Sequence, residues 1–337
     1  MYHIVDVGCR WGFADRFLDH IDKLFIFGFD PDQEECTKLS NRYNHPHIKL
    51  IPYALLDEEK EVDIYTTQNP GCSSIYPPDK FVIDTFFWCA ADEYPFYKSI
   101  SKTTTLDKFA SDNGIQKIDY IKIDTQGAEL SVLKGAKNIL KTTSFIKVEV
   151  QFNPLYEGAS LFSDIDMYLR SQGFMLYRFF DLNHYGVFGE KLINLEEFEL
   201  NFDALIFKLP QKGGQLYWGD ALYVKEPIAK GLLKPEEFDY IIELSNILGY
   251  YDIAHRLNLF RAFKNQNDVN FLSYQFMLSE RAHESSPDLQ KELNHYKARL
   301  EELQNAYNAI INSRSYKLAS FLSKTKKLVF DYLKKLG

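Results

Sequence analysis

The sequence predicts an α/β chain built on a mostly parallel sheet with helices on both faces. Three observations carry that prediction. Through the first half, short β-branched or aromatic runs alternate with amphipathic helical stretches. The first of these runs, Ile4-Val5-Asp6-Val7, leads into a turn with glycine at each end, Gly8-Cys9-Arg10-Trp11-Gly12. A later run, Ile118-Asp119-Tyr120-Ile121-Lys122-Ile123, ends on Asp124, which places a carboxylate where open α/β sheets bind their ligands.

In chain order, residues 3–7 read as a first strand, 14–21 as a helical segment and 24–29 as a second strand. Residues 32–43 are polar and helical, 48–53 form a third strand and 62–66 a short further one. Prolines 70, 77, 78 and 95, with Gly71, make 69–97 a long irregular lobe. After the strand at 118–123, a helix carries Leu130, Leu133, Ala136 and Leu140 on one stripe. Residues 145–150 are a strand, Ser163 caps a helix running to about 172, and 174–180 return to strand. Residues 204–209 close the sheet as an antiparallel edge.

Past Pro210 the pattern changes. Gly213-Gly214 marks a break, and 235–263 reads as two helices meeting at Gly249-Tyr250. Leu293, Tyr296, Leu300, Leu303, Tyr307 and Ile310 recur at spacings of three and four, the seam of a short coiled coil or one amphipathic helix. Residues 312–337 hold seven Lys or Arg against one acid, with Leu318, Phe321, Leu322, Leu328 and Val329 among an apolar set. A basic amphipathic end suits a membrane interface or a solvated helix. The expected division is therefore 1–210 for the main domain, 211–285 for a helical accessory region, and 286–337 for coiled coil and tail.

Composition removes several classes. With 45% hydrophobic and 26% charged residues the chain has ample material for a core. Its longest apolar run, residues 24–29, is far short of the roughly 20 residues of a spanning helix. A net charge of −8 suits a general nucleic-acid binder poorly. Cys9, Cys36, Cys72 and Cys89 form no CxxC pair, and no leader pattern precedes the first strand. Reduced thiols and a cytoplasmic location, peripheral at the inner membrane face if the tail binds lipid, are the expectation.

The chemistry concentrates at three places. The turn after the first strand is G-x-x-x-G, lacking the G-x-G-x-x-G of dinucleotide binders. Asp30, ending the second strand, either takes the hydroxyls of a ribose or caps the following helix, with Pro31 at its first position. Lys122 inside an apolar strand is costly unless paired. Asp124 ends that strand, and Glu129 sits in the first turn of the helix beyond it. Glu149 ends the neighbouring strand. His184, in the loop expected at 181–186, is an alternative base or a solvent-facing histidine. His45-Pro46-His47 reads as a loop, and no residue is assigned to a metal.

These residues resemble the FkbM family of S-adenosylmethionine-dependent methyltransferases. The resemblance runs over about residues 3–180. It is carried by Ile4-Val5-Asp6-Val7-Gly8 with Gly12, Phe29-Asp30-Pro31, Thr105-Leu106-Asp107, and Val148-Glu149-Val150. The block from Lys122 through Asp124-Thr125-Gln126-Gly127-Ala128-Glu129 to Leu133-Lys134-Gly135-Ala136 is its most specific part. Two departures stand out: Gln126 where the family has Glu, and Cys9-Arg10-Trp11 in place of smaller residues. The resemblance implies a Rossmann-like methyltransferase fold with a seven-stranded, mostly parallel sheet whose last strand is antiparallel. It implies a cofactor site at Asp6, Gly8, Gly12, Asp30, Ala54 and Leu55, with Asp30 on the ribose and Ala54-Leu55 flanking the adenine. Asp124 and Glu149 are then the candidate bases for an alcohol acceptor, with His184 next. Almost nothing precedes the first strand in this sequence, so any helices that cover the cofactor are expected to come from elsewhere.

Asn312-Ser313-Arg314-Ser315-Tyr316-Lys317-Leu318 resembles tails of bacterial enzymes that build surface polysaccharides, which points to a glycan or glycolipid acceptor. The expected activity is O-methylation of a sugar hydroxyl, with homo-oligomerisation or membrane contact through the tail. A noncatalytic assembly factor that keeps the same fold is the competing reading.

Overall fold

Alternation decides which core each strand residue serves. In β1 (Tyr2–Val7) and β2 (Leu24–Phe29), Ile4, Leu24 and Ile26 enter one hydrophobic cluster, while Val5, Val7, Phe27 and Phe29 enter another. Both faces are buried, as parallel strands require. The structure, a computed structural model, describes residues 1–86, 96–185, 194–202, 205–212 and 214–263. The expectations on Cys89, the coiled coil and the basic tail lie outside the described residues.

Strands β3 (Ile48–Ile51), β7 (Tyr120–Ile123) and β8 (Phe145–Gln151) extend the parallel pairing, and β9 (Phe174–Tyr185) and β12 (Gln215–Lys225) complete the sheet. Its order is β3-β2-β1-β7-β8-β12-β9, with β12 antiparallel to both neighbours. A small sheet joins β4 (Ala54–Leu55), β5 (Glu61–Thr66) and β6 (Tyr97–Thr104), and β10 (Asn194–Phe202) pairs with β11 (Leu205–Lys212).

Helices cover the two faces unequally. On one side lie α4 (Leu106–Asp112), α5 (Glu129–Lys134) and α6 (Phe162–Ser171), which bury Leu106, Val132, Leu133, Ile165 and Leu169. The other side takes Phe17 of α1 (Asp15–Leu18), Leu39 of α2 (Gln33–Tyr43), and a helical hairpin. That hairpin is α8 (Pro235–Ile247) and α9 (Tyr251–Phe263), meeting at Gly249-Tyr250 as the sequence predicts. Short helices α3 (Lys80–Thr85) and α7 (Glu226–Ala229) complete the described set. Phe238, Ile241, Leu244 and Leu257 of the hairpin share a cluster with Ile4, Leu24 and Phe145. Polar ties fix its position: the Tyr2 hydroxyl donates to Glu243 at 2.7 Å, and the Tyr240 hydroxyl donates to Asp119 at 2.6 Å.

Three expectations change. The antiparallel strand is β12, held inside the sheet between β8 and β9, whereas most of 204–209 belongs to β11 in the separate hairpin. An apolar run marks a strand without naming its partner, and β12 carries an acid, Asp220, that Lys147 of β8 neutralises at 2.6 Å. The sheet accordingly runs past the boundary expected at 210, and residues 235–261 belong to the same compact unit as the sheet. Finally, α6 starts two residues earlier than a cap at Ser163 would allow. Leu161 is its N-cap, and the Asp164 carboxylate accepts the Leu161 N–H at 3.0 Å. Cys9 and Cys36 are buried free thiols.

Candidate active site

The strand ends of β1, β2 and β7 leave a cavity of about 300 Å³ at the carboxyl edge of the sheet. Val7 and Gly8 form its floor, Phe29 and Asp30 one wall, and Lys122, Asp124 and Gln126 another. Tyr53, Ala54, Leu55 and Leu56 supply an apolar side. Pro70, Gly71, Ser73, Ser74 and Ile75, from the irregular lobe, face them.

Gly8 is required twice over. Its φ is +79°, and a Cβ there would lie 1.9 Å from the carbonyl oxygen of Asp124. The tight turn is held by the N–H groups of Gly8 and Cys9, which donate to the Phe29 carbonyl at 2.9 and 3.1 Å. The carbonyl of Gly8 accepts from Lys122 Nζ at 3.0 Å.

Lys122 finds the partners its position demands. Its ammonium sits 3.2 Å from Asp6 Oδ1 and 3.3 Å from Asp124 Oδ2. Burial disfavours the charge, but the two carboxylates outweigh it and raise the lysine's pKa. Asp6 is itself buried, and that burial raises its pKa against the pull of Lys122. Asp6 therefore acts beneath the cavity, anchoring the lysine; it does not line the cavity.

Gln126 ties the catalytic candidates together. At φ +56° its side chain turns back so that Nε2 donates to Asp124 Oδ1 at 2.9 Å and to Glu149 Oε2 at 3.0 Å. The Tyr156 hydroxyl donates to Gln126 Oε1 at 2.7 Å, and Ser74 Oγ donates to its backbone carbonyl at 2.6 Å. A glutamate here would bring a further acid between Asp124 and Glu149; the amide gives each of them a donor. Glu149 is buried, and burial followed by the charges of Asp124, Glu129 and Asp220 raises its pKa well above the usual range.

Asp30 separates from its capping role. The N-cap of α2 is Asp32, whose Oδ1 accepts from the N–H groups of Glu34 and Glu35 at 2.9 and 3.1 Å. Asp32 also pairs with Arg10. Asp30 is buried, lines the cavity, and accepts one N–H, from Asp32, on Oδ1 at 2.9 Å. Burial raises its pKa, with the Asp32 N–H and Arg10 opposing.

Other motif residues serve the scaffold. Glu129 Oε1 accepts from Thr125 N, Thr125 Oγ1 and Gly127 N at 2.9, 3.1 and 3.1 Å, locking the loop that carries Gln126. Thr105 caps α4, and the Asp107 carboxylate accepts from Asn138 and Ile139 N–H groups at 2.8 and 2.9 Å. Gly12, at φ +96°, packs on the Tyr43 hydroxyl away from the cavity lining. His184 lies in β9, not in a loop: the strand continues through a bulge after Asp181, at φ +46°, and pairs His184 with Leu216. Neither His184 nor Glu149 lines the cavity. The cavity residues that sequence reasoning missed are Tyr53, Leu56, Ile64 and the segment from Pro70 to Ile75, which turns rather than repeats and so leaves no periodic trace. The Asn69-Pro70-Gly71 turn was the available signal: Asn69 Oδ1 accepts the Gly71 N–H at 3.1 Å.

A parallel sheet with one inserted antiparallel strand, and a carboxylate-lined cavity over its first two strands, together define an α/β protein of the Rossmann-like methyltransferase type. The model of the methyltransferase FkbM domain matches residues 6–176, and the chain belongs to that family. It is 32% identical over 165 residues to the 2-O-methyltransferase NoeI of Sinorhizobium fredii (strain NBRC 101917 / NGR234). That match covers 46% of this chain and 65% of the relative, so the chain spans just under two thirds of the relative's length. Among solved structures, M. capricolum TrmK in complex with S-adenosyl-homocysteine aligns over 89% of this chain and 91% of its own, at 11% identity. Its TM-score of 0.31 is too low for that likeness to support a reading of this chain.

Proposed function

We propose that this chain is an S-adenosylmethionine-dependent O-methyltransferase acting on a sugar hydroxyl of a surface polysaccharide or lipid-linked glycan. The observation that carries this reading is the buried Asp30 carboxylate, which lines the cavity together with Gly8 and Asp124. These residues fit the cofactor. Asp30 suits the paired hydroxyls of a ribose, the Gly8 turn brings bare backbone to the cavity lining, and Ala54, Leu55 and Leu56 suit a flat base. The cofactor supplies, when bound, a methyl group activated by a sulfonium. The chain's own task is to align an acceptor oxygen with it and to keep water out. Asp124, whose side chain is 36% exposed, is the carboxylate that reaches the cavity and takes the hydroxyl proton. Gln126 and Lys122 hold it in place, and Glu149 stands behind it. The relative's printed activity, 2-O-methylation, supports oxygen as the acceptor atom.

Calorimetric titration with S-adenosylmethionine tests the reading. Asp30→Ala is expected to weaken binding by about tenfold or more, since hydrogen bonds to a charged group contribute about 1.5–3 kcal/mol. The ligand-free thermal midpoint should barely move, because the helix cap belongs to Asp32. Intact affinity in Asp30→Ala would remove the ribose assignment. Binding without methyl transfer to any glycan would favour the noncatalytic assembly role.

The tail belongs to the same proposal. Removing residues 312–337 is expected to leave cofactor affinity unchanged and to release the protein from anionic vesicles. Each basic side chain contributes about 1 kcal/mol near such a surface, and the attraction weakens as salt rises. Equal pelleting of full-length and truncated chains would leave oligomerisation as the tail's role.

A further inference from the structure

Trp11 occupies a position that folding alone does not favour. Its φ is +73°, a left-handed conformation rare for a bulky side chain. It is 66% exposed and belongs to none of the three buried clusters. A bulky aromatic held in a strained backbone without contributing to a core points to a role outside folding.

Its surroundings say which ligand. Trp11 lines the cavity and sits at its mouth, where a Cβ on Gly71 would come within 3.4 Å of the indole nitrogen. The indole therefore reaches from the turn after β1 towards the segment from Pro70 to Ile75. The Arg10 guanidinium lies on the ring at 6.0 Å from its centroid. Tyr53, 40% exposed, lines the same cavity, as do Asp124 and Gln126. The indole face is electron-rich and suits the weakly positive C–H face of a pyranose, while the carboxylate and amide that line the same cavity suit its hydroxyls.

We infer that Trp11 is the stacking platform for the acceptor's sugar ring, at the cavity mouth beside Asp124. This inference rests on the glycan reading of the activity. It goes further by assigning acceptor recognition to the residue whose bulk distinguishes this turn.

Saturation-transfer NMR with a panel of methyl pyranosides, in the presence of S-adenosyl-homocysteine, tests it on the full-length chain. Wild type is expected to transfer saturation to the ring protons of at least one glycoside. Trp11→Gly should weaken that binding by about tenfold, and Trp11→Phe should keep most of it. Affinity for S-adenosyl-homocysteine should stay within about twofold in both variants. Because glycine accepts positive φ without strain, Trp11→Gly should also raise the thermal midpoint by about 2 °C. Undiminished transfer in Trp11→Gly, or no transfer in wild type, overturns the platform. So does a tenfold loss of S-adenosyl-homocysteine affinity, which would move Trp11 into the cofactor site, or a lower midpoint, which would make it a structural residue. Failure of wild type to bind S-adenosyl-homocysteine at all would instead sink the methyltransferase reading, and the platform with it.

Discussion

Asp124→Asn is expected to lower methyl transfer by about 10²- to 10⁴-fold, the range that a positioned general base contributes. The amide keeps the size of the carboxylate and can still accept from Gln126, but it cannot take a proton. Lys122 retains Asp6 as a partner, so the variant is expected to fold and to keep the wild-type affinity for S-adenosylmethionine. Glu149→Gln provides the contrast. Glu149 does not line the cavity, and burial and neighbouring acids favour its protonated form, which glutamine imitates. Its rate is expected to fall less than about tenfold, as for a residue that positions the base. Steady-state rates with the glycan acceptor decide between them. Full turnover in Asp124→Asn with a severe loss in Glu149→Gln would exchange their roles, and full turnover in both would bring His184 forward.

The second large effect concerns stability. Lys122→Met removes the cation that faces Asp6 and Asp124, leaving Asp6 charged and buried. Breaking a buried pair by deleting one partner destabilises by about 3–5 kcal/mol. The deficit should depend on pH in a defined direction. Burial already raises the folded pKa of Asp6, and losing the ammonium raises it further. A group raised on folding contributes stability that is complete below its unfolded pKa and is lost as pH rises through its folded one. The gap between variant and wild type should therefore be small in acid and widen towards neutral pH. Urea denaturation of both proteins at several pH values measures it. A gap that stays constant across that range would show that Asp6 is not the group left uncompensated.

Much of the site was legible because each of its groups has a local cost. A lysine in an apolar strand demands acids, and Asp6 and Asp124 stand on adjacent strands within reach. A glycine between a strand and a turn demands close approach, and the Asp124 carbonyl makes it. What escaped depends on pairings between distant segments. Gln126 read as one acid fewer, yet it works as a donor shared by two acids, which follows only once Glu149 lies beside Asp124. Asp30 was open between ribose and cap until Asp32 took the cap. The run at 204–209 looked like the last strand because it is apolar, whereas β12 carries Asp220, whose cost Lys147 removes from the next strand. His184 left its expected loop because Asp181 accommodates a bulge and lets β9 continue.

The place of β12 also governs how the molecule is made. β8 ends at Gln151 and β9 at Tyr185, but the strand that fits between them starts at Gln215. As the chain leaves the ribosome, both of those strands wait with open backbone edges while the β10–β11 hairpin is synthesised. Such waiting edges raise contact order, slow folding and invite pairing with other chains. A fragment stopped before Gln215 keeps every cavity-lining residue and lacks the strand that joins β9 to the rest of the sheet. The residues that line the cavity therefore do not by themselves complete the sheet that carries them.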